Sequence, residues 1–177
     1  MSHLSDLTLE LAEKSDFCNR YLELCSRYSE SLLMDTTDLR QRYPRSLANI
    51  TKKVVDTKLV KSILNEFGYP YKYFGGEKFY RVYLWKGTEY EVWFHLEFYK
   101  NSLFDGSLDP HVYIIEHDEK YFAGGTFPCI FEHAGGVKPT KYLLRPAYTG
   151  EVLPKLIKEL IDLAFSYVYE FEELKEE

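Results

Sequence analysis

Three cysteines, two methionines and two tryptophans are all that 177 residues hold of these types. Each scarcity closes off a class of protein. A small, odd number of cysteines is not a disulfide framework. Cys18 and Cys25 fall two turns apart on an expected helix, with Cα atoms about 10 Å apart and so beyond disulfide reach. A reducing, cytoplasmic compartment is therefore expected. Long apolar runs are missing as well. The most apolar helical stretch, Val152 to Tyr169, is broken by Lys155, Lys158, Glu159 and Asp162, a density of charge that hydrocarbon does not tolerate. The opening MSHLSDLTLELAEK has neither a basic start nor an unbroken apolar core, so neither a secretory leader nor a membrane partner is expected.

Chemical motifs are equally scarce. Gly124-Gly125 and Gly135-Gly136 lack the glycine spacing, lysine and helix start that cradle phosphate. No nucleophile elbow accompanies Cys129, and a lone cysteine in an apolar run reads as core. His95 with Glu97, or His111 with Glu116, His117 and Asp118, offer the right donors for a metal or a proton transfer. Their spacing reproduces no closed zinc pattern. Cys129 and His133 are set among Gly and Pro, which argues against a helix that would align them. No catalytic residue, metal ligand or cofactor is assigned on these grounds.

What is abundant is aromatic: sixteen Tyr and twelve Phe. Tyrosine needs water or a partner for its hydroxyl, so not all of these rings can share one core. Some are expected to line a surface or groove. A chain of this length is expected to form one domain, residues 1–177, without staples. Its formal charge is −6, and Glu170, Glu172, Glu173, Glu176 and Glu177 crowd the end. That field repels a polyanion, so a nucleic-acid partner is disfavoured. The single basic cluster, Arg40, Arg42, Arg45, Lys52, Lys53, Lys58 and Lys61, reads as a solvated face.

Apolar residues at helical spacing from Leu4 to Leu33 predict one bent helix or two, with Asp16 as a cap for the second. Residues 35–53 read as an irregular connection. Asp56 or Thr57 opens a helix whose face is Leu59, Val60, Ile63, Leu64 and Phe67 and whose stop is Gly68. Tyr69-Pro70 and Gly75-Gly76 lead into Lys78 to Lys100, where aromatic and β-branched residues alternate with polar ones across a turn near Gly87-Thr88. This is the strongest strand signal, and it predicts a hairpin. Asn101 to Pro110 reads as loop, HVYIIE (111–116) as a strand, and 117–120 as its turn. Residues 121–132, punctuated by glycines and Pro128, predict short or irregular strands. KYLLR (141–145) predicts a last strand. A long helix follows Thr149-Gly150, with Pro154 in its first turn and Leu153, Leu156, Ile157, Leu160, Ile161, Ala164, Phe165 and Val168 on one face. The acidic end is expected to fray. The fold class is thus α+β: an antiparallel sheet of about four to six strands with N-terminal helices and a long C-terminal helix packed on it.

The hairpin register decides which residues face outward. A two-residue Gly87-Thr88 turn mixes polar and apolar groups on each face. A three-residue Lys86-Gly87-Thr88 loop aligns Tyr80, Val82 and Leu84 with Tyr90, Val92, Phe94, Leu96 and Phe98, the cleaner apolar face. The other face then presents Arg81, Tyr83, Trp85, Glu91, Trp93, His95 and Glu97, a composition enriched at protein interfaces. Arg81 stacked on Trp93 as a structural pair is the plainer alternative.

These features suit a small cytoplasmic binding protein of the immunity or inhibitor kind, which in bacteria neutralises a toxin by occupying it. A basic toxin or nuclease is the expected partner, steered by carboxylates and held by aromatic anchors. Self-association through the same face is a further possibility. The alternative is a small-molecule-binding or enzymatic domain with an aromatic pocket, for which His95, His111, His117 and Cys129 are the residues to inspect. Convergence of several in one concave site favours that alternative.

Overall fold

The computed structural model describes residues 4–28, 56–99, 104–118, 120–135 and 144–177. Two helices open the chain, α1 (Asp6–Lys14) and α2 (Phe17–Tyr28). Ser5 caps α1 by accepting from the Thr8 amide. Asp16 stands between the helices at φ +54, a left-handed conformation that aspartate tolerates better than most residues and that breaks the helical path. Its carbonyl accepts from the Arg20 amide and its carboxylate from the Asn19 side chain. The expected connection at 35–53 lies outside the described residues, as does most of the basic cluster.

The third helix, α3 (Thr57–Phe67), runs as its signals predict: Asp56 accepts from the Lys58 and Leu59 amides, and Gly68 ends it at φ +79. Val60, Ile63 and Leu64 are buried, but Leu59 is exposed and does not share their face. Five strands follow in chain order, with one helix after the fifth: β1 (Tyr71–Phe74), β2 (Phe79–Lys86), β3 (Tyr90–Tyr99), β4 (Gly106–Glu116), β5 (Lys120–Thr126) and α4 (Phe127–Ala134). A two-residue strand β6 (Ala147–Tyr148), the long α5 (Leu153–Val168) and a single turn α6 (Glu172–Lys175) complete the chain. The sheet is antiparallel with six strands, ordered β1-β2-β3-β4-β5, and β6 pairs with β4.

Four expectations need correction. Residues 106–110 are not loop: β4 starts at Gly106 and runs through Pro110. Pro110 is tolerated inside this central strand because it falls between the stretch paired with β6, Gly106 and Ser107, and the stretch paired with β5, which starts at His111. Its missing N–H points into that gap. Residues 127–134 form α4 rather than a strand, with Thr126 capping it through the Cys129 amide and Pro128 in the first turn, where the lost donor costs nothing. Cys129 and His133 therefore do lie on a helix. Leu144 and Arg145 are not in a strand, and the rest of the expected strand, 141–143, lies outside the described residues; the last described strand starts at Ala147. The C-terminal end is anchored, because Phe171 is buried and the Glu177 carboxylate accepts from the Glu89 amide and the Thr88 hydroxyl at the hairpin tip.

The hairpin pairs Val82 with Phe94, two residues along from the expected three-residue register, and Lys86 with Glu91, three residues along. A shift of two keeps every face, so Tyr80 and Val82 lie inward with Val92, Phe94, Leu96 and Phe98 as expected. A bulge between Tyr83 and Trp85 breaks the alternation at one point. The inward face joins Leu108, Val112, Ile114 and Ala123 to the helices in one cluster: Leu11 and Ala12 of α1, Phe17, Tyr21, Leu24 and Cys25 of α2, Phe127 and Ile130 of α4, and the predicted face of α5. Phe165 alone in that face is only half-buried. Each buried Leu or Ile contributes about 1.5–3 kcal/mol of transfer free energy, so α5 is the main clamp on the sheet. No helix among the described residues is long and apolar enough to cross a membrane.

Candidate functional site

The opposite face of the sheet takes the odd-numbered residues of β2, β3 and β4, and the pairing brings three rows into register. Arg81 lies opposite His95, and His95 opposite His111; Glu97 lies opposite Asp109; Trp93 lies between Tyr83 and Tyr113. Strand period alone therefore gathers Arg81, Tyr83, Trp93, His95 and Glu97, with Asp109, His111 and Tyr113 added from β4. Glu91 joins them at the edge. Trp85 does not: the bulge pairs it with inward-facing Val92, and it is 40 % exposed beside the Glu177 carboxylate. Its expected place on the outer face is corrected on that ground.

The upper part of this face is a stack. The Arg81 guanidinium lies 3.6 Å from the Trp93 ring centroid and 4.8 Å from that of Phe74, a cation on aromatic faces. Trp93 donates from Nε1 to Glu91 at 2.8 Å. Arg81 Nε donates to His95 Nε2 at 3.0 Å. That bond requires the imidazole to be neutral, and burial first, then the neighbouring His111 and Arg81, push the His95 pKa down to about 3. Trp93 is 9 % exposed. The tryptophan expected as an interface anchor is a packed platform for Arg81.

The lower part is polar and incompletely paired. Asp109, 4 % exposed, holds Arg145 Nη2 on Oδ2 at 3.2 Å, and the Arg145 guanidinium stacks 4.2 Å from the Tyr99 centroid. Tyr99 donates its hydroxyl to Glu97 Oε2 at 2.7 Å. His111 Nδ1 lies 2.9 Å from the Tyr113 hydroxyl, and its Nε2 faces Asp109 Oδ2 at 3.7 Å, too far for a hydrogen bond. Burial, aided by nearby carboxylates, pushes both Tyr99 and Tyr113 up, so both phenols stay protonated. Asp109 Oδ1, His111 Nε2, Arg145 Nε and Ser107 Oγ are all buried with no hydrogen-bond partner among the described residues. Ligating atoms of Glu97, Asp109 and His111 lie within 4.8 Å of one another.

No family model, curated protein or solved structure matches the chain. The site must be read from its own chemistry.

Of the four residues marked for the pocket alternative, the fold unites two. His95 and His111 have ring centroids 5.8 Å apart. His117 is exposed in the turn after β4, and Cys129 lies on α4, where the His133 ring bonds its carbonyl rather than its thiol. Asp109, Tyr113 and Arg145 were not anticipated. A signal for the first two existed: Ser107, Asp109, His111 and Tyr113 alternate with Leu108, Pro110, Val112 and Ile114, a half-buried strand pattern that the turn formers of 101–110 disguised. Arg145 reaches the site from an irregular segment and carries no such mark.

Proposed function

We propose that this chain is a ligand-binding domain whose site is the polar half of the outer sheet face, around Glu97, Asp109 and His111. One observation carries the reading: several buried polar atoms from β4 and a neighbouring segment gather with no hydrogen-bond partner among the described residues. Leaving a buried donor or acceptor unpaired costs about 1–3 kcal/mol, so several in one place are explained best by a group that completes them. The aromatic wall of Tyr99, Tyr113 and His95 supplies flat apolar surface beside the charged groups, the usual mixture in a small-ligand site. The test is saturation-transfer NMR of the protein against mixtures of small polar metabolites, together with amide shifts on β3 and β4 during titration of each hit and of divalent cations. Binding that maps to these strands and weakens in Asp109→Ala supports the reading. Failure of every metabolite and cation to perturb β3 or β4 overturns it.

A protein partner of the inhibitor kind is the second reading, and Trp85 favours it. This ring is 40 % exposed at the hairpin tip, beside exposed Lys86, and tryptophan is the commonest anchor of interfaces. The negative charge of the chain suits a basic toxin or nuclease. Affinity capture from the source cells at two salt concentrations tests it. A stoichiometric basic partner released by Trp85→Ala supports this reading, and recovery of the protein alone removes it.

A further inference from the structure

We propose that Glu97, Asp109 and His111 bind one divalent transition-metal ion, with zinc as the best-matched species. The inference rests on the ligand-site reading and names the ligand. Three features of the geometry carry it.

The donors form a tripod on rigid elements. Glu97 and Asp109 are directly opposite across the β3–β4 ladder, and His111 is two residues further along β4 on the same face. Their ligating atoms lie within 4.8 Å of one another. Bonds of about 2.1 Å to a central ion separate tetrahedral ligands by about 3.4 Å, so modest side-chain rotation closes the set. One imidazole and two carboxylates suit zinc, manganese or iron, and three protein ligands leave a position for water or substrate.

Each donor is already oriented by an outer partner, the arrangement that metal sites use to fix their ligands. Tyr99 holds Glu97 through Oε2. Arg145 holds Asp109 through Oδ2, which leaves the unpartnered Oδ1 to ligate. Tyr113 holds His111 through Nδ1, which leaves the unpartnered Nε2.

The third feature is the defect at the centre. In the Nδ1–H tautomer, the one that ligation through Nε2 requires, His111 donates to Tyr113 and its Nε2 lone pair faces the Asp109 carboxylate, acceptor facing acceptor, across 3.7 Å. Asp109 is 4 % exposed and His111 9 %, so bulk water does little to relieve the opposition. A cation between them turns a mutual repulsion into shared ligation. Arg145 offsets part of the carboxylate charge. It does so from Oδ2, the Asp109 oxygen that also faces His111 Nε2, so Oδ1 is the atom left to ligate.

The experiment is metal analysis of the purified full chain, followed by calorimetric titration of the EDTA-stripped, re-dialysed protein with Zn²⁺, Mn²⁺ and Mg²⁺. One Zn²⁺ per chain is expected, with affinity reduced by more than about tenfold in Asp109→Asn, Glu97→Gln and His111→Gln, and by about tenfold in Tyr113→Phe. Near-UV circular dichroism shows whether each variant retains the fold, and Glu97→Gln, the most exposed ligand, serves if the buried variants do not. Co²⁺ substitution locates the ion: d–d bands without a thiolate charge-transfer band are expected. A thiolate band would place it instead in the acidic cleft of about 560 Å³ lined by Asp16, Cys18 and His133 and overturn the proposal. So would zinc binding that survives all three ligand substitutions, or no binding at all. Absence of cation binding with metabolite hits still mapping to β3 and β4 would sink the metal alone; loss of both would sink the ligand site as well.

Discussion

The two faces of one sheet are hidden to different degrees and differently built. On β3 the inward row Val92, Phe94, Leu96 and Phe98 lies in one buried cluster with residues of five helices, while the outward row Trp93, His95 and Glu97 is covered largely by rings, guanidinium groups and the side chains of β4. Inward, the described polar atoms are nearly all matched: the Tyr21 hydroxyl donates to the Leu144 carbonyl at 2.7 Å, and the Gly124 amide to the Thr8 hydroxyl at 2.9 Å. Outward, Asp109, His111, Arg145 and Ser107 each keep a buried atom with no partner among the described residues. Stability alone does not account for the second arrangement, because apolar residues of similar shape would pack there without that cost. The inward face makes the fold; the outward face carries the proposed site.

The largest expected effect lies inward. Phe94, fully buried and edge-on to Phe127 at 6.1 Å between centroids, touches both the sheet and α4. Phe94→Ala should cost about 3–5 kcal/mol, transfer and cavity together, read as a lower urea midpoint. Asp109→Asn, at similar burial on the other side, should move the midpoint far less than it moves zinc affinity. If Asp109→Asn instead destabilises as much as Phe94→Ala, the outward cluster is structural and the contrast between the faces fails.

Much of this contrast was legible in residue order and some was not, for identifiable reasons. The caps at Asp56 and Gly68 and the inward row of α5 act locally, so spacing revealed them. The division of β3 into two faces was also visible, and it withstood a register error of two residues because side chains alternate with a period of two. Trp85 was misplaced because a bulge is a property of two strands together and leaves no mark in one. The start of β4 is hidden because residues 101–110 are rich in turn formers, Asn101, Asp105, Gly106, Asp109 and Pro110 among them, although a central strand accepts proline where its other neighbour is interrupted. That composition hid Asp109. Arg145 reaches the cluster only through tertiary packing, which no local pattern encodes.

Tyr80 is the exception that sharpens the comparison. It belongs to the inward face, 2 % exposed, tilted against Tyr73 at 4.6 Å between ring centroids and edge-on to Phe98 at 6.0 Å. Its hydroxyl nonetheless lacks a partner among the described residues, and burial pushes its pKa up to about 12. If the inward face serves packing alone, this hydroxyl contributes nothing that the ring does not. Tyr80→Phe should then keep every ring contact and relieve one unpaired polar atom, leaving stability unchanged or raising it by up to about 1 kcal/mol. Cation affinity should stay where it was, because the hydroxyl and the Glu97–Asp109–His111 cluster lie on opposite sides of the sheet. A loss of more than about 1 kcal/mol would mean that the hydroxyl has a partner outside the described residues, and the inward face would then have a buried polar contact of its own.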